Sequence, residues 1–213
     1  MNFFLLAAGK PHSGKLPTIL RNLNDKFKTI DWQLKTLKDS NVQFKIFIVI
    51  GYNSKLIKEK IRNISFILNK KWNNSSIIDT FFSLPFNNKD TIISYADTIF
   101  DKNVISEIIK INADIVVCID NGWKKRYPKR PIKDIELAEK IFYKGKYREF
   151  TGLILFKKEV IHKIKTLKKN KIKNLVDLIY VLESNNINIK YHNIENRWAE
   201  FNLEQDVAKF FIK

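Results

Sequence analysis

The sequence NFFLLAAGKPHSG, residues 2–14, decides how the rest of the chain is interpreted. Its apolar run, Phe3–Leu6, stops at Ala7-Ala8-Gly9, and Lys10 and Lys15 follow. This pattern predicts a buried strand whose carboxyl end opens into a loop of small residues with cationic side chains. Backbone N–H groups of such a loop can approach a phosphate closely, because few side chains stand in the way. The spacing matches neither GxGxxG nor GxxxxGK[ST], so a plain tight turn stays open as an alternative.

Apolar runs alternate with helical patterns along the chain, and each run is nearly continuous. This alternation is typical of a parallel sheet that is covered on both faces. We therefore expect an α/β fold with a Rossmann-like, mostly parallel mixed sheet flanked by helices. Predicted strands are Phe3–Leu6, Phe44–Ile50, Ile64–Leu68, Asp90–Asp97, Ala113–Ile119, Glu139–Tyr143, Thr151–Phe156, Ile187–Tyr191 and Trp198–Phe201. Predicted helices are Thr29–Leu37, Lys55–Arg62, Ile77–Leu84, Val104–Ile111, Glu159–Leu167, Asn174–Leu182 and Leu203–Phe211.

Length and cysteine usage limit the kind of protein this is. A chain of 213 residues can bury one core, and we expect a single domain over residues 1–213. No run approaches the roughly 20 apolar residues of a membrane span, and the first run is too short for a signal peptide. Cys118 lies within an apolar run and indicates a reduced compartment. We expect a cytoplasmic protein, and the oligomeric state stays open.

The formal net charge of +17 raises the question of nucleic-acid binding. Nucleic-acid modules concentrate their charge in a patch or stripe, whereas the lysines here are spread along the whole chain. The charge favours small anionic substrates such as nucleotides and sugar or alkyl phosphates. A basic nucleotide- or nucleic-acid-binding protein without turnover stays open as an alternative.

Two aspartates, Asp97 and Asp120, follow predicted strands. The carboxyl ends of parallel strands lie on one edge, so we expect both to converge with the loop after Leu6. Carboxylates near a phosphate loop suggest Mg²⁺, which prefers one or two carboxylates plus substrate phosphates. Each Asp could instead cap a helix or form a turn.

Several segments, in chain order, resemble motifs of the nucleotidyltransferase superfamily. This superfamily contains the sugar-phosphate nucleotidylyltransferases and the choline-phosphate cytidylyltransferases. The segments are LLAAGKPHSGKLPTIL at 5–20, FIVIGYN at 47–53, NKKWNNSS at 69–76, ISYAD at 93–97 and AEFNLEQD at 199–206.

The resemblance implies a site residue by residue. It implies Asp97 and Asn202 as ligands of Mg²⁺. We expect Lys10 and Lys15 to be the catalytic cations, because Lys15 lies near enough to take the place of the family's arginine, which is Ser13 here. The residues implied to bind the nucleotide are Leu6, Ala7, Ala8, Gly9, Gly51, Tyr52, Ser75 and Ser76.

One further segment points within the superfamily. DNGWKKRY, residues 120–127, resembles the D-x-x-W-x-x-R-Y segment of cytidylyltransferases that act on phosphocholine and aminoalkyl phosphonates, and EFTG at 149–152 is similar to the strand that follows it. An aromatic pair suits a cationic amine, although an exposed loop with a packed Trp is the alternative. The substrate-binding residues that this resemblance implies are Asp120, Trp123, Lys125, Arg126, Tyr127 and Glu149.

The function implied is a Mg²⁺-dependent transfer of CMP from CTP to a small phosphate or phosphonate, with release of pyrophosphate. The superfamily also implies a role in cell-surface polysaccharide biosynthesis. A sugar-phosphate nucleotidylyltransferase, or a glycosyltransferase on the same sheet, is the nearest alternative. The chain departs from the family pattern in the loop, where Pro11 replaces a glycine, Ser13 an arginine and Thr18 a lysine.

Overall fold

The computed structural model describes residues 1–126, 132–167 and 172–201. Its strands are β1 Asn2–Ala7, β2 Lys45–Ile50, β3 Ser65–Leu68, β4 Thr91–Tyr95, β5 Thr98–Phe100, β6 Ile115–Asp120, β7 Lys140–Tyr143, β8 Lys146–Phe156, β9 Ile189–Asn193 and β10 Trp198–Glu200. Its α-helices are α1 Thr29–Asp39, α2 Ser54–Lys60, α3 Ile77–Phe82, α4 Lys102–Lys110, α5 Ile132–Leu137, α6 Lys158–Thr166 and α7 Leu175–Ser184.

One mixed sheet forms the centre of the described structure, with the strand order β3-β2-β1-β4-β8-β6-β9. Strands β1 to β4 pair in parallel, as do β6 and β9, whereas β8 runs antiparallel to both β4 and β6. The strand β7 forms an antiparallel hairpin with the first four residues of β8. The α/β class and the mostly parallel mixed sheet that the sequence predicts are confirmed.

The first strand is buried on both faces because its side chains alternate between two cores. Phe4 and Leu6 point to the core that α3, α6 and α7 cover, while Phe3 and Leu5 point to the core under α1, α2 and α4. This explains why β1 is an unbroken apolar run rather than an alternating one.

A two-stranded antiparallel ribbon lies beside the main sheet. It pairs β5 with β10, so that Thr98 faces Glu200 and Phe100 faces Trp198. The sequence predicts one strand up to Asp97, but the structure turns at Ala96-Asp97 and continues as β5. The ribbon brings a late part of the chain to the end of β4.

A few sequence expectations differ from the structure or lie outside it. The helix predicted over Lys55–Arg62 is α2, Ser54–Lys60, and Asn53 precedes it in a left-handed conformation. Helix α5 was not expected, and the predicted helix Leu203–Phe211 lies outside the described residues. Within the described ranges, no helix combines the length and the apolar character that crossing a membrane requires.

Candidate active site

A cleft of about 250 Å³ opens at the carboxyl ends of β1 and β4. It lies between the loop that follows β1 and the turn that follows β4, which are neighbours because these strands pair in parallel. Adjacent parallel strands place their carboxyl ends together, and this is where open α/β sheets bind ligands. The lining residues are Leu6, Ala7, Gly9, Lys10, Pro11, His12, Thr18, Ile19, Ile77, Tyr95, Ala96, Asp97 and Glu139.

The loop after β1 is held in place from the side of β2. The backbone N–H of Tyr52 donates to the carbonyl of Ala8 at 2.9 Å, and a Cβ on Gly51 would lie 2.6 Å from that same oxygen. The hydroxyl of Tyr52 and the amide of Asn53 both donate to the carbonyl of Lys15. Gly51 and Tyr52 therefore support the loop from behind, while their predicted contact with a nucleotide stays a prediction.

The two predicted catalytic lysines occupy different places. Lys10 is exposed and lines the cleft, together with His12. Lys15 is also exposed, but it is not among the residues that line the cleft. The geometry thus favours Lys10 over Lys15 as the cation that meets a bound anion.

A buried arginine, Arg21, links the loop after β1 to Phe201, the last residue that the structure describes. Arg21 is only 5% exposed, and its guanidinium donates to the carbonyl of Ser13 and, at 2.8 Å, to the carbonyl of Phe201. The backbone N–H of Phe201 in turn donates to the carbonyl of Asp97 at 2.7 Å. One side chain therefore links the loop after β1 to the turn that carries Asp97.

Asp97 lies in the tight turn between β4 and β5, half-buried at the cleft wall. The amide of Gln33, on α1, donates to the backbone carbonyls of Tyr95 and Thr98 on either side of it. The side-chain amide of Gln33 and the backbone N–H of Phe201 thus hold the turn through its backbone carbonyls.

Next to Asp97, the hydroxyl of Tyr95 donates to Oε2 of Glu139 at 2.8 Å. Burial raises the pKa of Glu139, and burial together with the neighbouring Glu139 carboxylate raises the pKa of Tyr95 well above its usual value. Both residues line the cleft, and the sequence patterns predict a role for neither.

Gly152 gives Tyr95 its place. A Cβ on Gly152 would lie 2.6 Å from the Tyr95 ring, and Gly152 has a φ of 75°, a conformation that L side chains rarely adopt. Gly152 ends the segment EFTG, so this segment shapes the cleft through Tyr95.

Substituting Gly152 by Ala is expected to lower the free energy of unfolding by about 2–3 kcal/mol, since the strained conformation and the displaced ring both contribute. Gly145→Ala is the matched control, because Gly145 has a φ of 74° with nothing within 4 Å of a Cβ. It carries the conformational cost alone, about 1 kcal/mol. Urea unfolding of both variants measures the difference, and equal losses would contradict the close packing of Tyr95.

Two of the predicted nucleotide-binding residues, Ser75 and Ser76, lie just before α3. Ser76 caps the helix by accepting from the N–H of Asp79, and Ser75 accepts from the amide of Asn69 at 2.8 Å. The next residue, Ile77, lines the cleft. Ser75 and Ser76 thus lie close in sequence to the cleft wall, and their contact with a nucleotide stays a prediction.

Three of the predicted substrate-binding residues, Asp120, Glu149 and Trp123, are buried in the structure. Asp120 is fully buried and accepts hydrogen bonds from the N–H of Gly122 at 2.7 Å and from the indole of Trp198 at 2.9 Å. Glu149, its partner in the β6–β8 register, is also buried, as is Trp123. The predicted convergence of Asp120 with the cleft is wrong, because β8 lies between β4 and β6.

Trp123 also differs from the aromatic surface that the resemblance implies. The ammonium groups of Lys124 and Lys140 lie 5.7 and 5.6 Å from its ring centroid. The ring already contacts two cations of the protein, so this arrangement does not offer it to a cationic amine. Lys125 is exposed, with its Nζ 4.0 Å from Glu195. The side chain of Arg126, and the whole of Tyr127 and Asn202, lie outside the described residues.

Two residues of the site, Arg21 and Glu139, were not predicted from the sequence. Arg21 interrupts the apolar stretch ILRNL at 19–23, and a charged residue within such a stretch is a signal for a buried polar contact. Glu139 opens a predicted strand, but no sequence signal places it opposite Tyr95.

The donor chemistry at the cleft fits Mg²⁺. The described residues hold no group of three or more His, Cys, Asp or Glu side chains that could enclose a metal ion. Asp97 offers carboxylate oxygens at the cleft wall, and Mg²⁺ commonly takes one or two carboxylates while substrate phosphates and waters complete its shell. Asp97 is the described residue that would hold the ion.

Comparison of the sequence with known proteins gives one informative relative. No protein-family model matches the chain. A CTP:phosphoglutamine cytidylyltransferase from Campylobacter jejuni is 27% identical over 154 residues, which cover 65% of this chain. The aligned part spans 60% of the length of that relative.

Solved structures share the fold over nearly the whole chain. An inositol-1-phosphate CTP transferase from T. maritima superposes with a TM-score of 0.70, at 14% identity, covering 98% of this chain and 94% of its own. A CTP:phosphocholine cytidylyltransferase from Streptococcus pneumoniae gives a TM-score of 0.69, at 16% identity, covering 94% and 93%. The resemblance found in the sequence is confirmed: the chain has the fold of the sugar-phosphate nucleotidylyltransferases and is similar in sequence to a CTP-dependent cytidylyltransferase.

Proposed function

We propose that this chain is a cytidylyltransferase that joins CMP from CTP to a small phosphorylated acceptor and releases pyrophosphate. The observation that carries the proposal is the cleft itself, which is lined by both the loop Gly9–His12 and Asp97. The Campylobacter relative, named for CTP and phosphoglutamine, supports CTP as the donor and a phosphorylated small molecule as the acceptor.

The proposed reaction joins two anions, and the cleft residues act on their charges. An oxygen of the acceptor phosphate attacks the α-phosphorus of CTP, and the bond from that phosphorus to the pyrophosphate oxygen breaks. Both reactants are anions, so the enzyme has to align them and offset their repulsion. Lys10 places a positive charge at the cleft, and Gly9 leaves the loop backbone accessible to phosphate oxygens.

Mg²⁺, when bound, supplies Lewis-acid stabilisation of the charge on the transferring and leaving phosphates. Asp97 is proposed to hold it from the protein side. Asn202, the second ligand that the resemblance implies, directly follows Phe201 in the sequence, and Phe201 is hydrogen-bonded to the backbone of Asp97. The backbone contacts of Gln33 and Phe201 keep the Asp97 turn fixed while substrates enter.

A pyrophosphate-release screen tests the proposed function. The purified chain with Mg²⁺ is mixed with CTP, UTP, ATP or GTP and with phosphocholine, phosphoethanolamine, aminoethylphosphonate or sugar phosphates. We expect CTP to exceed the other nucleotides by about tenfold or more with small phosphates, with the CDP-linked product identified by mass spectrometry. Turnover restricted to sugar phosphates with another nucleotide would identify a sugar-phosphate nucleotidylyltransferase instead. Salt-sensitive duplex binding without pyrophosphate release would identify a nucleic-acid-binding protein.

Several finer properties stay predictions. They are the single domain over residues 1–213, the use of phosphocholine or a phosphonate, the cytoplasmic location, and the role in cell-surface polysaccharide biosynthesis. The substrate contacts of Lys125, Arg126 and Tyr127 belong with them.

A further inference from the structure

Glu139 brings a carboxylate to the cleft, and none of the described side chains pairs it with a cation. In the parts of the chain that the structure describes, no lysine, arginine or histidine forms an ion pair with it, although the whole chain carries 39 lysines and arginines. The adjacent Lys140 turns elsewhere, since its Nζ donates to the carbonyl of Glu136 at 2.9 Å. A carboxylate that is partly removed from water needs a donor, so this arrangement favours a ligand that supplies one.

The orientation of Glu139 leaves one oxygen available to a ligand. The hydroxyl of Tyr95 donates to Oε2, and among the described residues no hydrogen bond reaches Oε1. Tyr95 is itself fixed by the close approach of its ring to Gly152. The carboxylate is therefore aimed by a hydrogen bond and a packing contact, and both residues line the cleft.

The cleft is lined by chemically different groups that come from separate elements. Lys10 and His12 belong to the loop after β1, whereas Glu139 lines the cleft with its hydrogen-bond partner Tyr95, at the end of β4. An acceptor that carries both a phosphate and a nitrogen with N–H donors matches this separation. Trp123, the residue that the sequence predicted to receive a cationic amine, is buried and already has two lysine ammonium groups at its ring.

We propose that Glu139, oriented by Tyr95, is a specificity-determining residue that accepts a hydrogen bond from an ammonium or amide nitrogen of the acceptor. The acceptor phosphate then lies toward Lys10, where the attack on CTP takes place. This inference rests on the proposed function and narrows its acceptors to phosphorylated compounds that carry a nitrogen with N–H donors.

Matched acceptors test the proposal. Phosphoethanolamine and glycolamide phosphate carry an ammonium and an amide, and propyl phosphate is a nitrogen-free compound of similar size. For the unmodified chain we expect kcat/KM with at least one nitrogen-bearing acceptor to exceed that with propyl phosphate by roughly tenfold or more. Which of the two acceptors is preferred identifies the ammonium or the amide as the group recognised.

Glu139→Gln keeps the size of the side chain but leaves one oxygen, which the Tyr95 hydroxyl engages, so that an NH2 group faces the acceptor nitrogen. We expect it to reduce this ratio to within about twofold of unity, with an unchanged KM for CTP. Tyr95→Phe should lower the ratio only in part, because the Glu139 carboxylate stays but loses the hydrogen bond that orients it. Glu136→Gln is the matched control, since Glu136 is exposed and its side chain lies outside the cleft lining. Thermal unfolding of each variant verifies that it is folded.

The outcomes separate the role of Glu139 from the proposed function. An unchanged acceptor ratio in folded Glu139→Gln overturns the role of Glu139 and leaves the proposed function intact. A raised Mg²⁺ requirement with an unchanged ratio also overturns it, and makes Glu139 part of a metal site. Absence of pyrophosphate release with CTP and every acceptor, in the unmodified chain, overturns both proposals.

Discussion

Asp97→Ala is expected to lower the rate of pyrophosphate release from CTP by about 100- to 1000-fold, the usual loss when a group that stabilises transition-state charge is removed. Asp97 lies half-buried in a turn whose backbone is held by Gln33 and Phe201, so its side chain contributes little to the core. The variant should therefore keep its melting temperature. Steady-state pyrophosphate release and thermal unfolding, measured on the same preparation, test both statements.

Two further variants make this result specific. Asp97→Asn keeps the shape of the side chain while removing its charge, and we expect it to retain little of the activity. Asp25→Ala removes an exposed carboxylate that is not among the cleft residues, and it should leave the rate unchanged. Full turnover by Asp97→Ala would contradict the metal assignment, whatever the fate of the controls.

Arg21→Ala is expected to lower the free energy of unfolding by about 3 kcal/mol, because hydrogen bonds from a charged group contribute about 1.5–3 kcal/mol each. The carbonyls of Ser13 and Phe201 lose their guanidinium donor in this variant. For a domain of this length such a loss corresponds to a fall in melting temperature of roughly 6–12 °C. Below that temperature, we also expect a raised KM for CTP, since the loop after β1 loses its anchor.

The controls for Arg21 separate geometry from charge. Arg21→Lys keeps the charge but loses the planar fork, so it should recover only part of the stability. Arg62→Ala removes an exposed arginine two residues after the end of α2 and should change the free energy of unfolding by less than about 0.5 kcal/mol. Equal stability of Arg21→Ala and Arg62→Ala would show that the buried contacts do not hold the loop.

The alternation of apolar runs and helices was sufficient to predict the α/β sheet, because local periodicity reports burial directly. It could not predict the position of β8, which lies between β4 and β6. Strand order depends on contacts between distant segments, and periodicity within a segment carries no information about them. This is why Asp120 was wrongly expected to meet Asp97 at the cleft.

The site residues could be predicted where a family motif lies at the carboxyl end of a predicted strand, as it does after β1 and β4. Gly9, Lys10 and Asp97 were named from the sequence, and the structure brings them to one cleft. Arg21 and Glu139 were not assigned roles, because each acts through a partner far along the chain: Phe201 for the first and Tyr95 for the second.

The contact between Arg21 and Phe201 spans 180 positions of the sequence. A nascent chain that has reached the end of β4 already possesses the four parallel strands β1 to β4, but the Asp97 turn gains its partner Phe201, which directly follows β10, only after synthesis reaches residue 201. Long-range contacts of this kind form late in folding. During translation, the loop after β1 and the Asp97 turn are thus made long before Phe201, so the contacts that hold these two segments together through Arg21 form only after residue 201 has been synthesised.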